Sequence, residues 1–152
     1  MTKALCIITI EDSIVKKKFK KTSMGSSRFF SELFNYFHVS RFKLDFIPKI
    51  IDWNVEELWF TLENVGQSLN KIYYRKSKRH LNYIIRELHE QFYEKTSYYH
   101  NDIRYKNVCL KDGKYFLIDL ERSDFSFKDK NDDKILNESA CNQYECKKVG
   151  KV

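Results

Sequence analysis

The chain has 152 residues and 18.4 kDa, with 28 Lys and Arg against 21 Asp and Glu for a net charge of +7; 42% of it is hydrophobic and 16% aromatic. That length fits one domain and that apolar share one core, while 4 Gly and 1 Pro exclude collagen-like, Gly/Ser-linker and Pro-rich architectures. No apolar run reaches the ~20 residues of a membrane span. Glu11 and Asp12 follow the apolar start where a signal peptide would carry a small-residue cleavage site, so no transmembrane segment and an intracellular location are expected. The positive surplus favours phosphate-bearing partners, whether nucleotide, nucleic acid or anionic lipid, and selects none of them. Cys6, Cys109, Cys141 and Cys146 form no Cys-x-x-Cys pair, and reduced thiols are expected.

In chain order, Ala4 to Ile10 reads as a buried strand, rich in β-branched residues. Glu11 to Ser13 is a turn, and Ile14 to Phe19 returns as a second strand. Ser23 to Ser27 reads as a loop, with Ser26 or Ser27 capping a helix over about 28–39. Phe29, Phe30, Leu33, Phe34 and Phe37 form one apolar stripe along it. After a break at Pro48, Ile50 and Ile51 make a short strand and Leu58 to Leu62 a stronger one. Leu81, Ile84, Ile85, Leu88 and Phe92 give a second helical stripe over about 78–95. Val108 to Lys111 and Lys114 to Ile118 flank Asp112-Gly113, which supplies the positive φ angles of a two-residue type I′ hairpin. The polar stretch 124–152 is expected as a tail, partly disordered or holding one short helix.

The hairpin brings distant residues together. With Asp112-Gly113 at the turn, Asn107 falls opposite Ile118, and Asp119 is the next residue out. A carboxamide and a carboxylate then stand side by side at the open end of the hairpin, the kind of oxygen ligands that Mg²⁺ accepts together with phosphate oxygens. Asp102, preceded by His100, lies on the loop entering the same hairpin.

Residues 99–107 (YHNDIRYKN) resemble the His-x-Asp-x-x-x-x-Asn catalytic loop of the protein-kinase-like superfamily, and Leu117 to Glu121 (LIDLE) resembles its metal-binding Asp segment. The resemblance implies that Asp102 orients or deprotonates the acceptor hydroxyl, that Asn107 and Asp119 hold Mg²⁺ on the phosphates of ATP, and that His100 supports the loop. Upstream, Leu62 to Leu69 (LENVGQSL) resembles the hinge that pairs with adenine, which points to Glu63 and Val65. Glu32 lies mid-helix where the family has its ion-pairing Glu. Its Lys partner belongs on the strand before, where Lys16 is first choice for the α/β-phosphates. Lys17 and Lys18 stay open, because period 2 puts Lys16 and Lys18 on one face and Lys17 on the other. Glu121 is either a second carboxylate near the metal or a surface residue.

The implied fold class is α+β, a reduced protein-kinase-like fold over 1–123. A small β-sheet lobe with one helix (about 1–65) would be joined to a truncated, mainly helical C-terminal lobe (about 66–123). The sequence departs from the family in having no Gly-rich phosphate loop, in reading Asp119-Leu120-Glu121 for Asp-Phe-Gly, and in lacking an Ala-Pro-Glu segment. It is thus similar to small atypical kinases and to choline-kinase-like and aminoglycoside-kinase-like phosphotransferases. Three functions are expected, in order: an ATP- and Mg²⁺-dependent kinase acting on Ser/Thr of a protein substrate or partner, a pseudokinase scaffold, and a basic nucleic-acid-binding protein using the Lys16 to Lys21 and Arg75 to Arg79 clusters. The Lys-, Asn-, Ile-, Tyr- and Phe-rich composition suits an AT-rich genome such as that of a large DNA virus, for which the location would be the host cytoplasm.

Overall fold

The computed structural model describes residues 4–123 and has a mixed α+β architecture. The expected tail, 124–152, lies outside the described residues, as do Cys141 and Cys146; Cys6 and Cys109 are free thiols. Strands β1 (Cys6–Ile10), β2 (Ile14–Phe19), β3 (Ile50–Asn54) and β4 (Trp59–Glu63) form an antiparallel sheet in the order β1-β2-β4-β3. A second antiparallel sheet joins β5 (Gln67–Ser68), β6 (Val108–Lys111) and β7 (Lys114–Leu117) in that order. Helix α1 (Ser23–Ser40) follows β2. The short α2 (Leu69–Ile72) and α3 (Asn82–Thr96), the latter entered through a 3-10 turn at Arg79–Leu81, lie between β5 and β6.

The register of the first sheet decides which side chains face inward. Ile8, Lys17 and Phe60 are directly paired across β1, β2 and β4, so they share a face, and alternation adds Phe19 to it. Phe19, Phe29 of α1 and Phe60 meet with ring centroids 5.8–6.0 Å apart. Around α3, Leu81, Ile84, Leu88 and Phe92 of the expected stripe are buried in the same core as Val108, Leu117 and Leu120, while Ile85 is only partly buried at its margin. These groups belong to one continuous core that spans both sheets.

Three expectations are corrected. The Ser23 to Ser27 stretch is the first turn of α1, not a loop. Thr22 is its cap, the side-chain oxygen accepting from the Gly25 N–H at 3.1 Å. A Cβ at Gly25 would stand 2.1 Å from the Lys20 carbonyl oxygen, so this turn closes only around glycine. The five-residue apolar stripe of α1 is split: Phe29 and Leu33 are buried with Tyr36, whereas Phe30, Phe34 and Phe37 face outward. At about 100° per residue, Glu32, Leu33 and Tyr36 fall within about 60° of Phe29 around the axis, whereas Phe30, Phe34 and Phe37 fall about 80–140° away, outside the sheet-facing arc. Finally, β1 is not buried. It is the sheet's edge, and Ile7, Ile8 and Ile10 are exposed.

The hairpin forms in the expected register, with Lys111 opposite Lys114 and positive φ at Asp112 and Gly113. Among the described residues no helix is long and apolar enough to cross a membrane.

The link between the two sheets turns on Gly66, whose φ is +89° and where a Cβ would lie 2.3 Å from the Leu110 carbonyl oxygen. Gly66→Ala is expected to destabilise the chain by about 1–3 kcal/mol through left-handed strain alone, with the carbonyl clash adding to it. Urea unfolding monitored by circular dichroism checks this; an unchanged midpoint would contradict it.

Candidate functional site

Strand β2, helix α1 and the segment after β7 converge on one group of charges. Lys17, on the inner face of β2, donates from Nζ to Glu32 Oε1 of α1 at 2.5 Å and stands 3.8 Å from Asp119 Oδ1. Glu32 is 1% exposed, whereas Asp119 keeps 28% of its side chain open. Burial works against the Lys17 ammonium, but Glu32 and Asp119 outweigh it and hold its pKa above that of a free lysine. Burial pushes the Glu32 carboxyl up to about 7, against the pull of Lys17 and with a further push from Asp119.

Lys16, the expected partner of Glu32, is on the other face, its ammonium 4.0 Å from the centroid of the Trp59 ring. Lys18 shares that face and lies 4.0 Å from Glu57, which also accepts from Lys21 at 2.8 Å. The basic run is thus divided by strand alternation into one inward cation and several outer ones.

Helix α1 also positions Asp119 through its backbone. The Asp119 N–H donates to the Tyr36 hydroxyl at 3.3 Å, and Asn35 Nδ2 donates to the Leu120 carbonyl at 2.6 Å. Burial first, then Glu32 and Asp119, raises the Tyr36 phenol well above its ordinary pKa, so it remains a hydroxyl. Ser31 Oγ donates to the Glu121 carbonyl at 3.2 Å, while the Glu121 carboxylate pairs with Arg28 at 3.1 Å. Glu121 is therefore an anchor on the flank of α1. Asp119 itself sits in the left-handed region at φ 64°, held there by these contacts.

The hairpin mouth supplies the second half of the site. Ile118 donates its N–H to the Asn107 carbonyl at 2.9 Å, so Asn107 and Asp119 are neighbours as the turn arithmetic requires. Asn107 Nδ2 donates to the Asp102 carbonyl at 2.9 Å and to Asp102 Oδ2 at 3.0 Å. With its amide nitrogen committed, Oδ1 is the atom Asn107 can offer a cation. Arg104 grips the same carboxylate, Nε at 2.8 Å from Oδ1 and Nη2 donating to Oδ2 at 2.9 Å. His100 is fully buried, with Nε2 3.0 Å from the Ile118 carbonyl and Nδ1 3.2 Å from the Asp102 N–H. Those partners fix a neutral ring that donates from Nε2 and accepts at Nδ1.

The 63–66 segment leads from the end of β4 to β5. Glu63 gives its N–H to the Lys49 carbonyl at 2.9 Å, Asn64 gives its own to Ser13 at 3.0 Å, and Gly66 N–H goes to Asn64 Oδ1 at 3.0 Å. Val65 buries its side chain, and its backbone N–H and C=O bond to no other described residue. A cavity of about 610 Å³ beside the C-terminal half of α1, lined by Val39, Leu44, Ile47 and Pro48, holds none of these charged groups. No cluster of three or more His, Cys, Asp or Glu able to hold a metal occurs among the described residues. A divalent cation here would have one carboxylate and one carboxamide, the remainder coming from ligand and water, a donor set that suits Mg²⁺.

Sequence reasoning missed Arg104, Tyr36 and Asn35, whose partners lie on other elements or, for Arg104, two residues back in the same loop. No protein-family model matches the chain, and no curated protein matches it in sequence.

Burial lowers the pKa of the His100 ring to about 4 against an ordinary 6.5, the Ile118 carbonyl only partly offsetting it. The unfolded chain binds this proton first, so the His100 contribution is lost as pH falls from 6.5 through 4, by up to about 3 kcal/mol. Glu32 runs the other way, since its raised pKa weakens the fold as pH rises from 4.5 to 7. The two slopes oppose each other in global stability, and a residue-specific probe is needed. In an NMR pH titration the His100 ring is expected to remain neutral down to about pH 4; titration near 6.5 would contradict the buried geometry.

Proposed function

We propose that the chain is an ATP- and Mg²⁺-dependent phosphotransferase with a reduced protein-kinase-like fold, of the atypical Ser/Thr protein-kinase-like kind. The observation that carries this reading is the convergence of Lys17, Glu32 and Asp119, three residues from three elements, beside the hairpin mouth that carries Asp102 and Asn107. A structural ion pair needs only two of them. A third, partly open carboxylate beside a buried ammonium is an arrangement suited to a bound polyphosphate with its counter-ion.

On this reading Lys17 replaces Lys16 as the residue that meets the α/β-phosphates, and Glu32 holds its ammonium in place. Asp119 and Oδ1 of Asn107 would hold Mg²⁺, which supplies charge neutralisation on the phosphates. The backbone N–H and C=O of Val65 would pair with the edge of adenine. Ile8, Ile10 and Val15, on the inner face of β1 and β2, would give the apolar surface above the base. Asp102 would orient the acceptor hydroxyl. Its carboxylate is now shared with Arg104, and the incoming phosphate offers that guanidinium a competing anion.

The same Arg104 grip favours a second reading, a nucleotide-binding pseudokinase in which Asp102 never reaches an acceptor, and the lack of a Gly-rich loop in the sequence agrees with it. The two readings part on Asp102→Ala. A kinase is expected to lose about 100- to 10,000-fold in phosphoryl transfer while its Mg-ATP affinity stays within about two-fold. Transfer unchanged by the substitution would remove Asp102 from the mechanism, and a wild-type protein that binds Mg-ATP without any turnover would establish the scaffold.

A further inference from the structure

The outer face of α1 carries Phe30, Phe34 and Phe37, spaced i, i+4 and i+7, with exposures of 48%, 63% and 38%. Trp53 of β3 meets Phe37 edge to face at 4.9 Å and is 47% exposed, and Phe42 continues the surface past His38. The rings are held in place, Phe30 against Phe29 at 5.1 Å and Phe34 stacked on His38 at 6.1 Å. Five aromatic side chains of ~150–250 Å² each, exposed by a third to two thirds, offer roughly 500 Å² of contiguous apolar surface. The largest patch on a typical monomer is about 300–600 Å² and is often an interaction site.

We propose that this face is an interface between two copies of the chain, α1 packing antiparallel on α1 of the partner about a two-fold axis at Phe34. The spacing is self-complementary. Phe30 and His38 lie one turn to either side of Phe34, so an antiparallel pair sets Phe34 on its own counterpart and brings the flanking rings together. The area agrees: roughly 500 Å² from each copy gives about 1,000 Å² in total, the lower bound of a specific interface, and therefore a weak one. The charge agrees as well. Although the chain carries +7, Phe30, Phe34, Phe37 and Trp53 have no formal charge and the exposed cations Arg41 and Lys43 flank Phe42 at the end of the face, so the centres of the two patches meet without like-charge repulsion. Glu32 and Tyr36 lie on the opposite side of α1, so pairing leaves the charged cleft open, and the proposal stands whether or not that cleft transfers phosphate.

Sedimentation equilibrium of the full chain over about 5–200 μM tests it, a range chosen for an interface of this size. The wild type is expected to rise from 18.4 kDa toward twice that mass. Phe34→Asp should remain at the monomer mass throughout, with an unchanged circular dichroism spectrum, and Phe34→Leu should still associate. Should Phe34→Asp fail to fold, Phe30→Asp on the next turn reads the same interface. A wild type that is monomeric at every concentration overturns the proposal. So does a dimer that neither Asp substitution weakens, which would place the contact on another face.

Discussion

An ammonium and a carboxylate cannot share a dry interior unless each satisfies the other, and the Lys17–Glu32 pair ties β2 to α1 on that condition. Lys17 belongs to a sheet whose register is set by β1 and β4, and Glu32 to a helix packed through Phe29, Leu33 and Tyr36. Removing one partner of such a pair typically costs about 3–5 kcal/mol, because the other charge is left buried alone. The placement of α1 on the sheet is therefore fixed by charge as well as by packing.

Much of the rest depends on that placement. Held against the sheet, α1 presents Tyr36, Asn35, Ser31 and Arg28 in succession to the segment 119–123. Those contacts fix Asp119 in a left-handed conformation and aim its carboxylate at Lys17. From the other side, His100 ties the loop before the hairpin to Ile118, and Asn107 ties it to Asp102. The two halves of the site meet at Ile118 and Asp119. A shift of α1 would thus be felt at Asp119 first, which is the coupling a nucleotide cleft needs if occupancy is to organise it.

What the sequence made legible was local. Asp112-Gly113 imposes its own turn, and counting outward from it brings Asn107 and Asp119 together without tertiary information. The α3 stripe was legible for the same reason, since Leu81, Ile84, Leu88 and Phe92 obey one period. What failed depended on neighbours. Strand alternation sorts Lys16 and Lys18 from Lys17 but does not say which face packs on α1. β1 has the composition of a buried strand yet lies at an edge, because burial is decided by sheet order. The aromatic run of α1 is rich enough to cover two faces, and only the position of the sheet decides which one goes inside. Ser31, Asn35 and Tyr36 act on residues more than eighty positions away, and nothing in their local sequence marks them.

The central claim is that Lys17 and Asp119, rather than Lys16, face a Mg-ATP site. Calorimetric titration of ATP into the full chain, with and without Mg²⁺, in the wild type, Lys16→Met and Asp119→Asn, tests it most directly. The account predicts metal-dependent binding that Lys16→Met leaves intact and Asp119→Asn abolishes. Binding that needs Lys16, that ignores Asp119, or that does not occur in the folded wild type would contradict it.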